Sequence, residues 1–255
     1  MDGPAVSDRD LSSYSAVIFD LDGTLVDTKK FPLVASRNLF MLLGITSEPL
    51  FQRYLSALVT EYFRLLDSVI DGAPYMRPWE IVRGAVAFGL ESVGVEVDDE
   101  TLDAAADEFS SLHLELPTLY PGSEELLSIL AERGVRLAVI TNSFEDHTDP
   151  ILRRTGIRDY FDVLIDSGVT RTFKPDPRAF LAALDGLEAR PQDALVVGDE
   201  YYADIVGAHR AGIDAVWVNI RGDSLDEHLR RFGGDTAPAF VVDTIAELRD
   251  LFEGC

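Results

Sequence analysis

Short apolar runs alternate with amphipathic segments along most of this chain, and that alternation limits the fold more than any other feature. The candidate strands are Val17–Asp20, Leu137–Thr141, Val163–Asp166, Ala194–Gly198, Ala215–Asn219 and Phe240–Val242. Runs such as Leu195-Val196-Val197 are continuously apolar, as in strands covered on both faces. Helical patterns lie between them at Ser123–Arg133, Asp149–Thr155, Pro177–Leu187, Ala203–Ala211 and Ile245–Phe252. Gly134, Gly156 and Gly212 stand where helix C-caps belong. This order predicts an α/β fold, a Rossmann-like parallel sheet core of right-handed βαβ units.

Residues 29–115 break the pattern. Leu33–Leu43, Leu50–Val69, Trp79–Val93 and Thr101–Leu112 carry helical periodicity with no convincing strand. The expected organisation is a core domain of residues 1–28 and 116–255 with an inserted α-helical cap domain at 29–115. An insert between the first strand and the rest of the sheet is a candidate lid over the strand ends. Tyr75, Met76, Arg77 and Trp79 either line a substrate pocket or pack the insert's own core.

Ligands of open α/β sheets bind beyond the carboxyl ends of the strands. Asp20 and Asp22 follow the first strand, Thr141 and Asn142 the second, and Asp199 and Asp204 the fourth. A loop after the third leads to Lys174-Pro175-Asp176-Pro177, where Asp176 caps the next helix. Asp20, Asp22 and Asp199 cannot be buried together unpaired. Hard oxygen ligands without His or Cys point to Mg²⁺. Lys174 beside Asp20 would hold it ionised, and Thr141 and Lys174 suit an anionic substrate. Metal, cation and hydroxyl around a nucleophilic carboxylate make a phosphoryl-transfer site.

On these residues the chain resembles the haloacid dehalogenase superfamily in its phosphatase branch. The first motif, D-x-D-G-T-x-x-D, is matched by Asp20, Asp22, Gly23, Thr24 and Asp27; the second by Thr141; the third by Lys174-Pro175; the fourth, G-D-x-x-x-x-D, by Gly198, Asp199 and Asp204. The helical insert lies where that family carries its helical (C1-type) cap. The resemblance implies that Asp20 forms an aspartyl-phosphate. Asp22 would protonate the leaving oxygen and then activate water. Mg²⁺ would sit on the Asp20 carboxylate, the Asp22 main-chain carbonyl and Asp199, with Asp204 orienting that shell. Thr141, the Asn142 backbone N–H and Lys174 would grip the phosphate. Glu200 stands where a small hydroxyl residue is common, and Ala203 where Asn is common. Asp22 separates the chain from the dehalogenases, which carry a bulky aromatic there. Phosphonate cleavage fits poorly, because the insert's lysines, Lys29 and Lys30, lie at its very start.

The expected activity is Mg²⁺-dependent hydrolysis of a small phosphorylated metabolite. A phosphomutase shares the same catalytic residues. A phospho-accepting signalling domain places its accepting Asp later in the chain, and a binding module on a dead phosphatase fold would have lost Asp20 or Asp22.

The net charge of −23 excludes nucleic acid and anionic lipid as partners. Together with a lysine count confined to Lys29, Lys30 and Lys174, it suggests a halophilic source. Cys255 is the one cysteine and ends the sequence, an incidental thiol that fits a reducing cytoplasm. Met1–Ser13 is polar and acidic, unlike a signal peptide, and is expected to fray. No apolar run is long enough to span a bilayer. His113, His147, His209 and His228 show no metal-ligand spacing and are expected at the surface or in packing.

Overall fold

The computed structural model of the chain describes residues 10–254, so the expectations for residues 1–9 and for Cys255 lie outside it. Residues 10–13 are better held than a fraying end. The Asp10 side chain caps a single 3₁₀ turn at Leu11–Ser13, and Leu11 is buried. Among the described residues no helix is long and apolar enough to cross a membrane.

Two compact units divide the chain: Met1–Asp27 with Thr118–Cys255, and Thr28–Pro117. In chain order, β1 (Ala16–Phe19) is followed by the short β2 (Val26–Asp27). The helical unit holds α1 (Lys30–Leu42), α2 (Glu48–Ile70), α3 (Pro78–Ser92) and α4 (Asp99–Glu115). The first unit resumes with β3 (Thr118–Leu119), α5 (Ser123–Glu132), β4 (Arg136–Ile140), α6 (Thr148–Arg154) and β5 (Val163–Ile165). After the single turn α7 (Ser167–Thr170) come α8 (Pro177–Gly186), β6 (Ala194–Gly198) and a π-helical turn at Tyr201–Val206. The chain ends with α9 (Gly207–Arg210), β7 (Asp214–Val218), α10 (Leu225–Phe232), β8 (Phe240–Val242) and α11 (Ile245–Glu253).

The α/β expectation holds. A six-stranded sheet runs β5-β4-β1-β6-β7-β8, and every neighbouring pair is parallel. The first strand is therefore central, and the strand order reverses beside it, which is where such sheets bind ligands. Register fixes what meets there. Phe19 pairs with Val139 on one side and with Val197 on the other, so the residues that follow all three strands share one edge.

The strands read as unbroken apolar runs because both faces are covered. Ile18, Ala138, Val196 and Trp217 belong to a core completed by Phe180 and Leu184 of α8 and Ala208 of α9. Burying a side chain such as Phe180 stabilises the fold by roughly 1.5–3 kcal/mol. Elsewhere in the first unit α5 packs on β4 and on α11. In the helical unit α2 packs on α3, and α4 on both α1 and α3. Its largely aliphatic core holds an aromatic cluster, in which Phe40 meets Phe51 edge-on at 5.1 Å and Tyr54 at 4.9 Å.

Three details depart from the sequence reading. The segment expected as one helix at Ala203–Ala211 starts earlier, at Tyr201, as a π-helical turn that becomes α9. Helix α10 was not anticipated, since half of its residues are charged; Leu225, Leu229 and Phe232 pack against the core, and His228 stacks on Tyr201. Nor was the antiparallel ribbon of β2 and β3, which pairs Val26 with Leu119 and Asp27 with Thr118; two-residue strands carry no readable period.

Candidate active site

Asp20 is the first residue past β1, and its N–H donates to the Val197 carbonyl at 2.9 Å, extending the ladder by one bond. Its carboxylate is buried at the sheet edge. Oδ1 accepts from Lys174 Nζ at 2.5 Å, while Oδ2 is buried without a hydrogen-bond partner. Lys174 is 3% exposed and also donates to Asp204 Oδ1 at 2.7 Å and to the Ile140 carbonyl at 3.2 Å. All three ammonium protons are thus engaged.

The Lys174 loop is anchored by Asn142. Asn142 Oδ1 accepts from the Lys174 backbone N–H at 2.7 Å, and Nδ2 donates to the Lys174 carbonyl at 3.0 Å. Next to it, the Thr141 hydroxyl donates to Asp22 Oδ2 and accepts from the Ser143 N–H, both at 3.1 Å.

Asp199 and Asp204 follow β6. Thr24 donates to Asp199 Oδ1 at 3.3 Å, and Arg221 donates to Asp199 Oδ2 at 2.9 Å and to Glu200 Oε1 at 2.7 Å. Asp204 lies in the π-helical turn, and its Oδ2 accepts from the Glu200 N–H at 3.0 Å. Two glycines make room. A Cβ on Gly198 would overlap the Asp204 carboxylate. One on Gly23 would lie 2.7 Å from Asp199 Oδ1, and Gly23 also has a φ of +97°.

Burial dominates the electrostatics, with surplus negative charge adding to it. Burial pushes Asp20 up to about 7, with Asp199 and Asp22 adding to it against Lys174. Burial likewise takes Asp204 to about 7, opposed by Lys174. Asp199 is raised to about 6 by burial and by Asp204, against Arg221. Burial disfavours the Lys174 ammonium, but Asp20 and Asp204 outweigh it and hold the amine above its ordinary value.

The residues present fit a hard divalent cation. Carboxylate oxygens of Asp20, Asp199 and Asp204 lie within 4.8 Å of one another, all three residues are buried, and the donors are all oxygen. Asp20 Oδ2 supplies a buried acceptor with no donor to meet it. The sequence reading gave the metal to Asp20, Asp22 and Asp199 with Asp204 as support. The structure brings Asp20, Asp199 and Asp204 together, ties Asp204 to Lys174, and gives the Asp22 carboxylate a bond from Thr141.

Three participants escaped the sequence reading: the Thr24 hydroxyl, the Asn142 side chain and Arg221. Arg221 lies three residues past β7, outside every matched motif. Three of the histidines serve in packing, His147 by stacking on Phe144 at 5.0 Å. His113 meets Phe31 edge-on at 4.9 Å, and His228 stacks on Tyr201 at 4.3 Å.

A family model described as haloacid dehalogenase-like hydrolase matches residues 14–212. The phosphoglycolate phosphatase of Pseudomonas fluorescens is 33% identical over 242 residues, covering 94% of this chain and 79% of that protein. The glyceraldehyde 3-phosphate phosphatase of Methanothermobacter thermautotrophicus is 28% identical, covering 92% of this chain and 98% of that one. Among solved structures, the L-2-haloacid dehalogenase of Xanthobacter autotrophicus superposes with a TM-score of 0.68 at 24% identity, covering 94% of this chain and 99% of that one; this likeness is one of fold.

Proposed function

The chain belongs to the haloacid dehalogenase-like hydrolases, and from that premise we propose that it is a divalent-metal-dependent phosphatase of small phosphate monoesters, with Mg²⁺ as the metal and Asp20 as the nucleophile. Relatives named phosphatases of phosphoglycolate and of glyceraldehyde 3-phosphate support the reaction class. The observation that carries the reading is the Asp20 carboxylate, one oxygen held by Lys174 and the other buried and unpartnered.

In this mechanism Asp20 attacks phosphorus and an aspartyl-phosphate forms as the bond to the ester oxygen breaks. Asp22 gives its proton to that departing oxygen. It then takes a proton from water, which attacks the aspartyl-phosphate and releases inorganic phosphate. Lys174, its three protons taken, keeps Asp20 oriented, while Thr141 and the Asn142 N–H receive the phosphate oxygens. Asp20, Asp199 and the Asp22 carbonyl would hold the metal, and Asp204 keeps Lys174 in place. When bound, the divalent cation neutralises surplus carboxylate charge and polarises the phosphoryl group.

The acidic composition supports a second part of the proposal, adaptation to high salt. The test is phosphate release in molar KCl from phosphoglycolate, sugar phosphates and nucleoside monophosphates, with Mg²⁺ and with chelator. Activity is expected only with metal and is expected to vanish in Asp20→Asn. Equal rates in chelator, or full activity of that variant, would refute the mechanism.

A further inference from the structure

The Lys174 ammonium is fully occupied by Asp20, Asp204 and the Ile140 carbonyl. Asp199 takes its positive partner from elsewhere. Arg221 reaches it across 22 residues of sequence, with Nη2 at 2.9 Å from Oδ2, and the same nitrogen lies 2.7 Å from Glu200 Oε1. The Asp199 side chain is 7% exposed, whereas Arg221 is 49% and Glu200 41% exposed. The guanidinium thus sits on a buried carboxylate while keeping a second, solvent-facing seat.

An ordered turn delivers this arginine. The Asn219 side chain closes on Asp223, accepting from its N–H at 2.9 Å and donating to its carbonyl at 3.0 Å. The Gly222 N–H donates to the Asn219 carbonyl at 3.1 Å, and the Asn219 N–H joins β8 at the Val242 carbonyl, 2.7 Å away. Glu200, the second seat, is also the position at which the chain departs from the small hydroxyl residue common in its family.

A cation entering between Asp20 and Asp199 meets a carboxylate already bonded to a guanidinium. It must displace that bond, or take Oδ1, which the Thr24 hydroxyl meets at 3.3 Å, with a like charge held on the other oxygen of the same carboxylate. Glu200 makes displacement easy, since Arg221 can release Asp199 and keep a carboxylate partner. We propose that Arg221 sets the affinity of the site for its divalent cation: it holds Asp199 in the metal-free protein and yields it while seated on Glu200. The inference rests on the metal-binding reading of Asp20 and Asp199. It makes Arg221 a competitor of the metal, where a merely structural role would make it an aid.

Calorimetric titration of the full chain with Mg²⁺ at fixed KCl separates the two. Arg221→Gln is expected to lower the dissociation constant about tenfold and to lower the melting temperature of the metal-free protein more than that of the saturated one. The double variant Arg221→Gln/Glu200→Gln removes one charge of each sign. It should still bind more tightly than the unmodified protein, which distinguishes unblocking of Asp199 from a change of net charge. Arg221→Lys, which keeps the charge but bridges two carboxylates poorly, should fall between, and it keeps the test decisive where the glutamine variant folds badly. Equal or weaker binding in these variants overturns the proposal alone. Absence of saturable Mg²⁺ binding to the unmodified chain overturns the metal reading as well.

Discussion

The side-chain amide of Asn142 closes on the backbone of Lys174 through two hydrogen bonds, 2.7 Å from its N–H and 3.0 Å from its carbonyl. The ammonium that orients Asp20 is therefore placed from the loop that follows β4, not by its own loop alone. Asn142→Asp keeps the acceptor but turns the donor into an oxygen facing a carbonyl. We expect kcat to fall about 100-fold, close to 2.7 kcal/mol of barrier, with a stability loss of about 1–3 kcal/mol. Steady-state kinetics beside urea denaturation checks this, and unchanged kcat would show that the bracket is dispensable.

Lys174 has two buried carboxylates to itself, Asp20 and Asp204. Lys174→Met leaves both facing each other without a cation. Breaking a buried ion pair from one side costs about 3–5 kcal/mol, and that loss is expected in chelator. Saturating Mg²⁺ should restore part of it by replacing the missing positive charge. Denaturation midpoints with and without metal measure both, and a variant as stable as the parent in chelator would contradict the charge balance described.

His228 provides a pH test on a group that is not itself a proposed metal ligand. It stacks on Tyr201 with an 8° tilt and meets the Trp217 ring edge-on. Burial lowers its pKa below 6.5, with Arg231 and Arg221 working in the same direction against Asp223 and Glu227. A depressed histidine is neutral in the fold while the unfolded chain still gains a proton. Its contribution is therefore intact above about pH 6.5 and is lost as pH falls through the folded value. The melting temperature in saturating Mg²⁺ should drop more between pH 7.5 and 5.5 in the parent than in His228→Gln. Parallel pH profiles would rule out this source.

At a net charge of −23 the chain repels itself. The Debye length shrinks from about 10 Å at 0.1 M salt to about 3 Å at 1 M. Melting temperature should rise by roughly 5 °C or more between these KCl concentrations, equivalent to about 2 kcal/mol for a chain of this size. A flat or falling profile would count against salt adaptation.

The strand ends were legible because each apolar run stops at a polar residue. Asp20, Thr141 and Asp199 follow β1, β4 and β6, and the register sets those strands side by side. The four helices between Lys30 and Glu115 were legible through their periodicity, although they begin earlier than the apolar pattern does. Glu48-Pro49 and Pro78 open α2 and α3 before any hydrophobic stripe appears. Contacts made across the fold left no local mark. Asn142 reaches a backbone 32 residues away, and Arg221 reaches Asp199 from the loop that follows β7. The π-helical turn was hidden because one wide turn places the same residues in nearly the same order as an α-helix.

Phe19 pairs with Val139 and Val197, and the proposed nucleophile is the next residue. One extra or missing residue within Ala16–Phe19 would turn each side chain beyond it to the opposite face of the sheet. It would unseat Asp20 at the same stroke. Over evolutionary time this strand can change its spelling but not its length. Length variation is left to segments outside that register, and a lineage diversifying this enzyme must do so there.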